Sequence, residues 1–321
     1  MRPLVLIIGL CAATVAFAQG GTRLTLGHGS SIDHPRHLAA LHFAERVAHY
    51  SEGRIEVQIF PAASMGDDAA MVRGLQDGTL DISANSQGAV STVVPEYAAI
   101  GMPFLFPSPE AAWKVLDGHA GKVLAERSAD RGLKLLGYWD NGIRHLTNDV
   151  RPVRIPEDVR GLRIRTPPDP ASADLIKALG GLPRQIRWSD VYSALQRKVV
   201  DGQENPLVNI LTGKLHQVQR FLSLTGHKYE VTPFVMARAR WDALSEADRS
   251  AILYAAEEAT TLQRSLTRKE DSEAMAELRR TGMQIEAPDV AAFEIACRPV
   301  YDKWLASPVG DFLRVLMAAT R

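Results

Sequence analysis

Cysteine is nearly absent: the 321 residues hold two, Cys11 and Cys297. Cys11 lies in an apolar N-terminal run, so removal of that run leaves Cys297 alone and no internal disulfide can form. A chain without covalent staples relies on its cores, and about 300 residues are enough for that. An excess of either charge is missing too, since 37 Lys plus Arg balance 37 Asp plus Glu. Proteins that grip nucleic acid by neutralising phosphates carry a basic excess or stripe, so that class of partner is excluded. Beyond residue 20 no apolar run approaches the roughly 18 residues a membrane-spanning helix requires. No Cys/His cluster has structural-zinc spacing, and no P-loop, HExxH or GxGxxG pattern calls for a metal or cofactor, so none is expected. A G-x-S-x-G nucleophile elbow is also lacking; Gly27-His28-Gly29-Ser30-Ser31 does not have that order, and a hydrolase finds no support.

What is present is a globular composition, 46% hydrophobic and 23% charged, at a length suited to two domains. Met1-Arg2, an apolar stretch from Leu4 to Phe17 and a small-x-small end at Ala16-Phe17-Ala18 have the three-part layout of a secretory leader. Cleavage after Ala18 and export to a bacterial periplasm are therefore expected. Leu24–Gly27 reads as a strand, Arg36–Ser51 has helical spacing, and Arg54–Phe60 alternates strictly as a strand. A helix over Asp67–Asp77, opened by an aspartate cap and stopped by Gly78, leads to a strand over Leu80–Ser83. Strands over Leu133–Tyr138 and Gly161–Arg165, helices over Ala171–Leu179 and Trp188–Arg197, and a turn over Asp201–Pro206 continue the alternation. Arg144–Asn148 and Tyr229–Ala237 read as connecting strands. Ser245 to about Arg280 is one long amphipathic helix.

This order predicts an α/β fold with two lobes, two connecting strands and a long helix spanning both. The first lobe is expected to hold residues 22–143 and 231–270, the second 144–230 and 271–321. Ligands of open α/β sheets sit beyond the carboxyl ends of strands, so facing lobes predict a cleft between them.

The run Leu195-Gln196-Arg197-Lys198-Val199-Val200-Asp201-Gly202-Gln203-Glu204-Asn205-Pro206 resembles the ALQxxxVDGQENP signature of the DctP-type solute-binding proteins of TRAP (tripartite ATP-independent periplasmic) transporters. Gly161–Arg165, Asn141-Gly142-Ile143-Arg144, Pro103–Phe106 and Met65–Asp68 with Leu75–Asp81 are similar to further family patterns, in the family's order. The resemblance covers about residues 22–310. It implies a two-lobed periplasmic receptor that closes on a small organic acid and hands it to TRAP membrane permease subunits driven by an ion gradient. It also implies that Arg165 binds the ligand carboxylate, with Arg144 and Asn205 at the family's other site positions. The same fold serves sensors that present their closed form to a signalling ectodomain, and the sequence does not separate the two uses.

The chemistry of these residues suits that role. Arg provides a planar, permanently charged fork for a carboxylate. Arg165 ends its strand before Thr166-Pro167-Pro168, which places it at the expected cleft, whereas Arg163 is expected to be structural. Arg144 lies near the first crossing, where it either reaches ligand or anchors the lobes. Asn205 offers an amide donor from its turn. Trp188 offers a flat apolar surface for a carbon face or ring. Asn85, Ser86 and Gln87 follow the first lobe's last strand and are expected to bond ligand hydroxyls. His34 is expected to cap its helix and approach ligand from the first lobe, while His28 and His37 complete no metal set. Ser86, Ala89 and Pro168 replace polar or charged residues of the family's sialic-acid branch, which argues against that ligand. A sugar acid, a C4-dicarboxylate and an aromatic or branched 2-oxo or 2-hydroxy acid all remain open.

Overall fold

The computed structural model describes residues 21–320. The expected leader, residues 1–18, and its cleavage point lie outside the described residues. Alternating hydrophobic residues build the first strands. β1 (Thr22–Gly27) and β2 (Ile55–Phe60) pair in parallel, and β3 (Ile82–Ala84) joins β1 on its other side. The helix Pro35–Tyr50 connects β1 to β2. The helix Asp68–Asp77, capped by Asp67 and closed by Gly78 at φ 80°, connects β2 to β3. Four short helices between Gln87 and Asp130, not anticipated from the sequence, lead to β4 (Leu133–Asn148).

β4 is one 16-residue strand, so the two segments expected at Leu133–Tyr138 and Arg144–Asn148 are continuous. It carries the chain into the second lobe. There β5 (Arg163–Thr166), β6 (Leu182–Gln185) and β7 (Gly202–Asn205) lie side by side. β8 (Phe221–Ala237) returns antiparallel to β4 over its whole length, and β9 (Gln284–Glu286) pairs with its beginning. The sheet order is β2-β1-β3-β8-β4-β7-β5-β6, a single sheet through both lobes, with β4 and β8 common to each.

The β4–β8 ladder is regular at its ends and broken in the middle. Register shifts fall between Leu135 and Gly137, Asp140 and Gly142, and Arg144 and Leu146. Gly142 (φ 114°) and Gly226 (φ 56°) occupy backbone conformations that only glycine adopts without strain at these bulges. Bulges bend the strands where one lobe meets the other.

The 35-residue helix Glu246–Arg280, capped by Ser245, runs behind both lobes. Its Ala251, Ala255, Ala256 and Ala259 let it approach the first lobe closely, where Ile252 joins Phe43, Trp139 and Phe234 in one core. Its far end places Ala274 and Leu278 against Val191, Ile210 and Leu222 of the second lobe. The final helix, Gly310–Ala319, corrects the expected assignment of 271–321 to the second lobe: Phe312, Leu313 and Leu316 pack with Val94, Leu116 and Leu124 of the first. No helix among the described residues is long and apolar enough to cross a membrane.

Candidate functional site

A cavity of about 130 Å³ lies between the lobes. Gly29, Ser30, Ser31, His34, Arg36, Asp67, Asp68 and Ser86 line it from the first lobe, and Arg165, Pro167, Pro168, Arg187, Trp188, Asn205 and Asn209 from the second. Asn141, Arg144 and Glu230 reach it from the crossing strands. The first-lobe residues follow the carboxyl ends of β1, β2 and β3, and Arg165 and Asn205 sit near those of β5 and β7. This is the position the α/β rule assigns to ligands.

Arg165 is 3% exposed. Its Nε donates to the carbonyl of Ile186 at 2.9 Å, which fixes the plane of the guanidinium, and its terminal nitrogens have no protein hydrogen bond among the described residues. No carboxylate among the described residues lies within 4.0 Å of it. Burial and the neighbouring Arg144 push its pKa down to about 10, so the group stays charged at neutral pH while its charge is held at a cost. A buried fork with its plane fixed and its two end nitrogens free is suited to a bidentate anion.

Arg144 is different. It lies wholly buried with its Nε and Nη2 on Glu204, its Nη1 on Glu230 and a further bond to the Glu204 carbonyl. Burial acts to lower its pKa, but the two carboxylates outweigh this and hold it above the usual arginine value. The same arginine holds Glu204 well below the usual carboxylate range against the effect of burial. Arg144 therefore lies in the cavity wall as an anchor of the crossing strands, with its fork already filled. Behind it Lys228 Nζ donates to Asp169 and Ser172, both at 2.6 Å.

Trp188 opens a 3-10 turn (Trp188–Asp190) and not the α-helix expected there, which starts at Val191. Its indole lies against Gly213, where a Cβ would come within 2.8 Å of Cη2, and the Arg165 guanidinium carbon is 6.0 Å from its ring centre. Asn205 corrects another expectation: 202–205 is the strand β7, paired with β4, and not a turn. Paired backbone is what the QENP run requires, because it presents Glu204 to Arg144 while Asn205 lines the cavity. One amide N–H of Asn205 is used on Gln203 Oε1 at 2.5 Å.

His34 does cap the helix Pro35–Tyr50. Its Nδ1 accepts from the Arg36 backbone N–H at 3.0 Å, so Nε2 carries the proton and donates to Asn209 Oδ1 at 2.9 Å. Burial and Arg36 push its pKa down to about 3, keeping it neutral. Asn209 Nδ2 in turn donates to Asn141 and Asn205, at 3.3 and 3.2 Å. His34 and Asn209 come from opposite lobes, and their bond closes the cavity from side to side.

Of the three residues expected after β3, only Ser86 lines the cavity. Asn85 is turned away, with its amide 3.1 Å from Asp68 Oδ1 and 3.3 Å from the Ala84 carbonyl. Gln87 is fully buried and its Oε1 accepts from the Val231 backbone N–H at 3.0 Å. Both are scaffold, corrected from ligand contacts, because the chain turns into a helix at Gln87 and carries these side chains behind the wall.

Arg36, Asp68, Asn209 and Asn141 were not singled out from the sequence as cavity residues. Arg36 left a signal: it is a cation in the first turn of a helix, where the backbone dipole disfavours positive charge. Its Nη2 donates to Asn141 Oδ1 and Thr232 Oγ1, at 3.0 and 2.8 Å, and it is 6% exposed. Asn209 left a weaker one, since it stands one helical turn beyond Asn205.

Residues 26–307 match the family model described as bacterial extracellular solute-binding protein, family 7 (DctP). The uncharacterised protein y4mM of Sinorhizobium fredii is 46% identical over 286 residues, which are 89% of this chain; the chain spans about half (53%) of that relative's length. A TRAP periplasmic solute-binding protein of Polaromonas sp. JS666, solved bound to D-erythronate, superposes with a TM-score of 0.89 at 34% identity, covering 92% of this chain and 98% of that one. The sugar-acid-binding protein DctPAm of Advenella mimigardefordensis, solved with galactonate, superposes with a TM-score of 0.91 at 28% identity, covering 94% and 98%. This chain belongs to the DctP family of periplasmic solute-binding proteins, which serve TRAP transport and are not enzymes.

Proposed function

We propose that the protein captures a small organic acid by its carboxylate on Arg165 and delivers it to a TRAP-type permease, after export with a leader removed behind Ala18. The observation that carries this reading is Arg165 itself: a buried cation with a fixed plane and no acidic partner among the described residues, in the wall of the cleft. The acid completes the ion pair that the protein leaves open, and Trp188 covers its carbon face. Trp188, Asn205, Ser86 and His34 complete the ligand's surroundings, and Arg144 supports them from behind. The two solved relatives described above hold hydroxylated acids, which supports that class here, while another, from Sulfurospirillum deleyianum, holds succinate.

Closure of the lobes forms the His34–Asn209 bond and strips water from the ion pair. Ligand then favours the closed form by its differential contacts. Calorimetric titration of the wild-type chain with D-erythronate and D-galactonate tests this. Arg165→Met should weaken the better ligand by about a hundredfold or more, as expected when the partner of a buried charge is lost. Arg165→Lys should restore little, because a point charge cannot reproduce the fork. Unchanged affinity in Arg165→Met refutes the assignment.

A further inference from the structure

The cavity holds a second buried guanidinium without an acidic partner. Arg36 comes from the first lobe, opposite Arg165, and among the described residues no carboxylate lies within 4.0 Å of it. Asn141 and Thr232 fix one end of its fork at Nη2, while Nη1 has no protein hydrogen bond among the described residues. Nε is buried and also unpartnered. The carboxylate with the largest influence on Arg36 is Asp68, which lines the same cavity. Asp68 is half-buried and held by the Ser86 backbone N–H at 3.1 Å, with the Asn85 amide on its other oxygen. Each carboxylate oxygen has further lone pairs to offer.

A donor that cannot accept thus shares the cavity with an acceptor that cannot donate, and the two do not pair directly. A hydroxyl group does both, donating to a carboxylate and accepting from a guanidinium. A second ligand carboxylate would satisfy Arg36 but confront Asp68. Around the cavity Arg144 and Lys228 are already spent on Glu204, Glu230 and Asp169, which leaves Arg165 for one carboxylate and Arg36 beside Asp68. The remaining cation of the lining, Arg187, is exposed and already paired with Asp190 and Asp67, so a dianion's second charge would fall to Arg36, where Asp68 opposes it.

We propose that Arg36 and Asp68 form a hydroxyl-reading pair that makes the receptor selective for a hydroxylated monocarboxylate over a dicarboxylate. The proposal rests on the reading that Arg165 takes the carboxylate. Calorimetric titrations with D-erythronate, D-galactonate, butanoate and succinate test it in the wild type, Arg36→Met, Asp68→Asn and Arg165→Met. The wild type should bind the better hydroxylated acid at least about tenfold more tightly than butanoate and succinate, the scale of one hydrogen bond to a charged group. Arg36→Met should cost the hydroxylated acid about tenfold to a hundredfold while changing butanoate by less than about threefold. Asp68→Asn should narrow the preference over succinate by about tenfold or more. If Arg36→Met does not fold, the Asp68→Asn ratio alone decides. Equal losses for all acids in either variant, or wild-type succinate binding as tight as the hydroxylated acids, overturns the pair. Should Arg165→Met leave every affinity unchanged, or should the wild type bind none of the acids, the carboxylate assignment falls and this inference with it. When binding depends on Arg165 but the ratios ignore Arg36 and Asp68, only the pair is refuted.

Discussion

Asp140 makes the stability of this protein depend on pH in a direction opposite to that of most carboxylates. It sits on β4 at the bulge where the strand passes between lobes, almost wholly buried. Gln263 of the long helix clamps its backbone, accepting from its N–H at 2.6 Å and donating to its carbonyl at 2.7 Å. The side chain is less well served, since Oδ1 has no partner. Burial pushes its pKa from 3.8 up to about 7; the Tyr229 hydroxyl and Arg264 oppose the rise, and Asp271 and Glu110 add to it. Between about pH 4 and 7 the folded chain therefore keeps a proton that the unfolded chain releases. Stability falls as pH rises across that window, by about 1.4 kcal/mol per pH unit and about 4 kcal/mol in all.

The Asp140→Asn amide has nearly the shape of the protonated acid and cannot ionise. At pH 4 the variant should match the wild type within about 1 kcal/mol, and at pH 8 it should be more stable by up to about 4 kcal/mol. Urea denaturation at pH 4, 5, 6, 7 and 8 measures the difference. The subtraction matters because His28, His34 and His145, each pushed down to about 3 with burial as the largest cause, titrate with the opposite sign. They bind protons in the unfolded chain below about 6.5 and so make both proteins gain stability as pH rises from 3 towards 6.5. That contribution cancels between variant and wild type. A difference that stays flat from pH 4 to 8 refutes the reasoning.

Two further outcomes follow from the closed cleft. Asn209→Ala removes the lobe-to-lobe bond with His34 and should speed dissociation of a bound sugar acid about fivefold to thirtyfold in stopped-flow measurements; the double variant with His34→Ala should be no faster than either single one if the pair acts as one latch. A Cβ on Gly88 would meet Asp169 Cβ at 2.7 Å across the cleft, and Asp169 cannot yield because Lys228 holds it. Gly88→Ala should then weaken ligand binding by about fivefold to a hundredfold while leaving the melting temperature of the unliganded protein nearly unchanged, as read by calorimetry and thermal denaturation.

Much of the fold was legible because its elements are locally consistent. Strict alternation marks Ile55–Phe60, the Asp67 cap and Gly78 stop bracket the helix between them, and the long amphipathic helix begins at Ser245, where the stretch was expected to start. β7 and the middle of β4 were not legible, since Gly202–Asn205 and Asp140–Arg144 are polar yet buried. Strands that pair on both sides and face a cavity need no apolar alternation; charges and amides satisfy one another there instead. The same fact hid half of the site. Arg165 stood out because its strand and its motif agree, whereas Arg36 and Asn209 depend on contacts 105 and 175 residues away in sequence, which no local pattern records.

The bulges of the crossing strands lie beside the cavity. A regular β4–β8 ladder would fix the angle between the lobes, since each added hydrogen-bonded pair resists bending. Breaking the register three times leaves Asn141 and Leu224–His227 without a partner in the β4–β8 ladder, and Arg144, Asn141 and Glu230 line the cleft beside them. The bends then require glycine at 142 and 226, and the inward-turned charges require one another, which is why Arg144 is spent on Glu204 and Glu230. An acid held on Arg165, as proposed, would share its cavity with Asn141, Arg144 and Glu230 of the crossing strands. On that reading, opening the cleft at these strands would expose the ligand's charge to water in the same event.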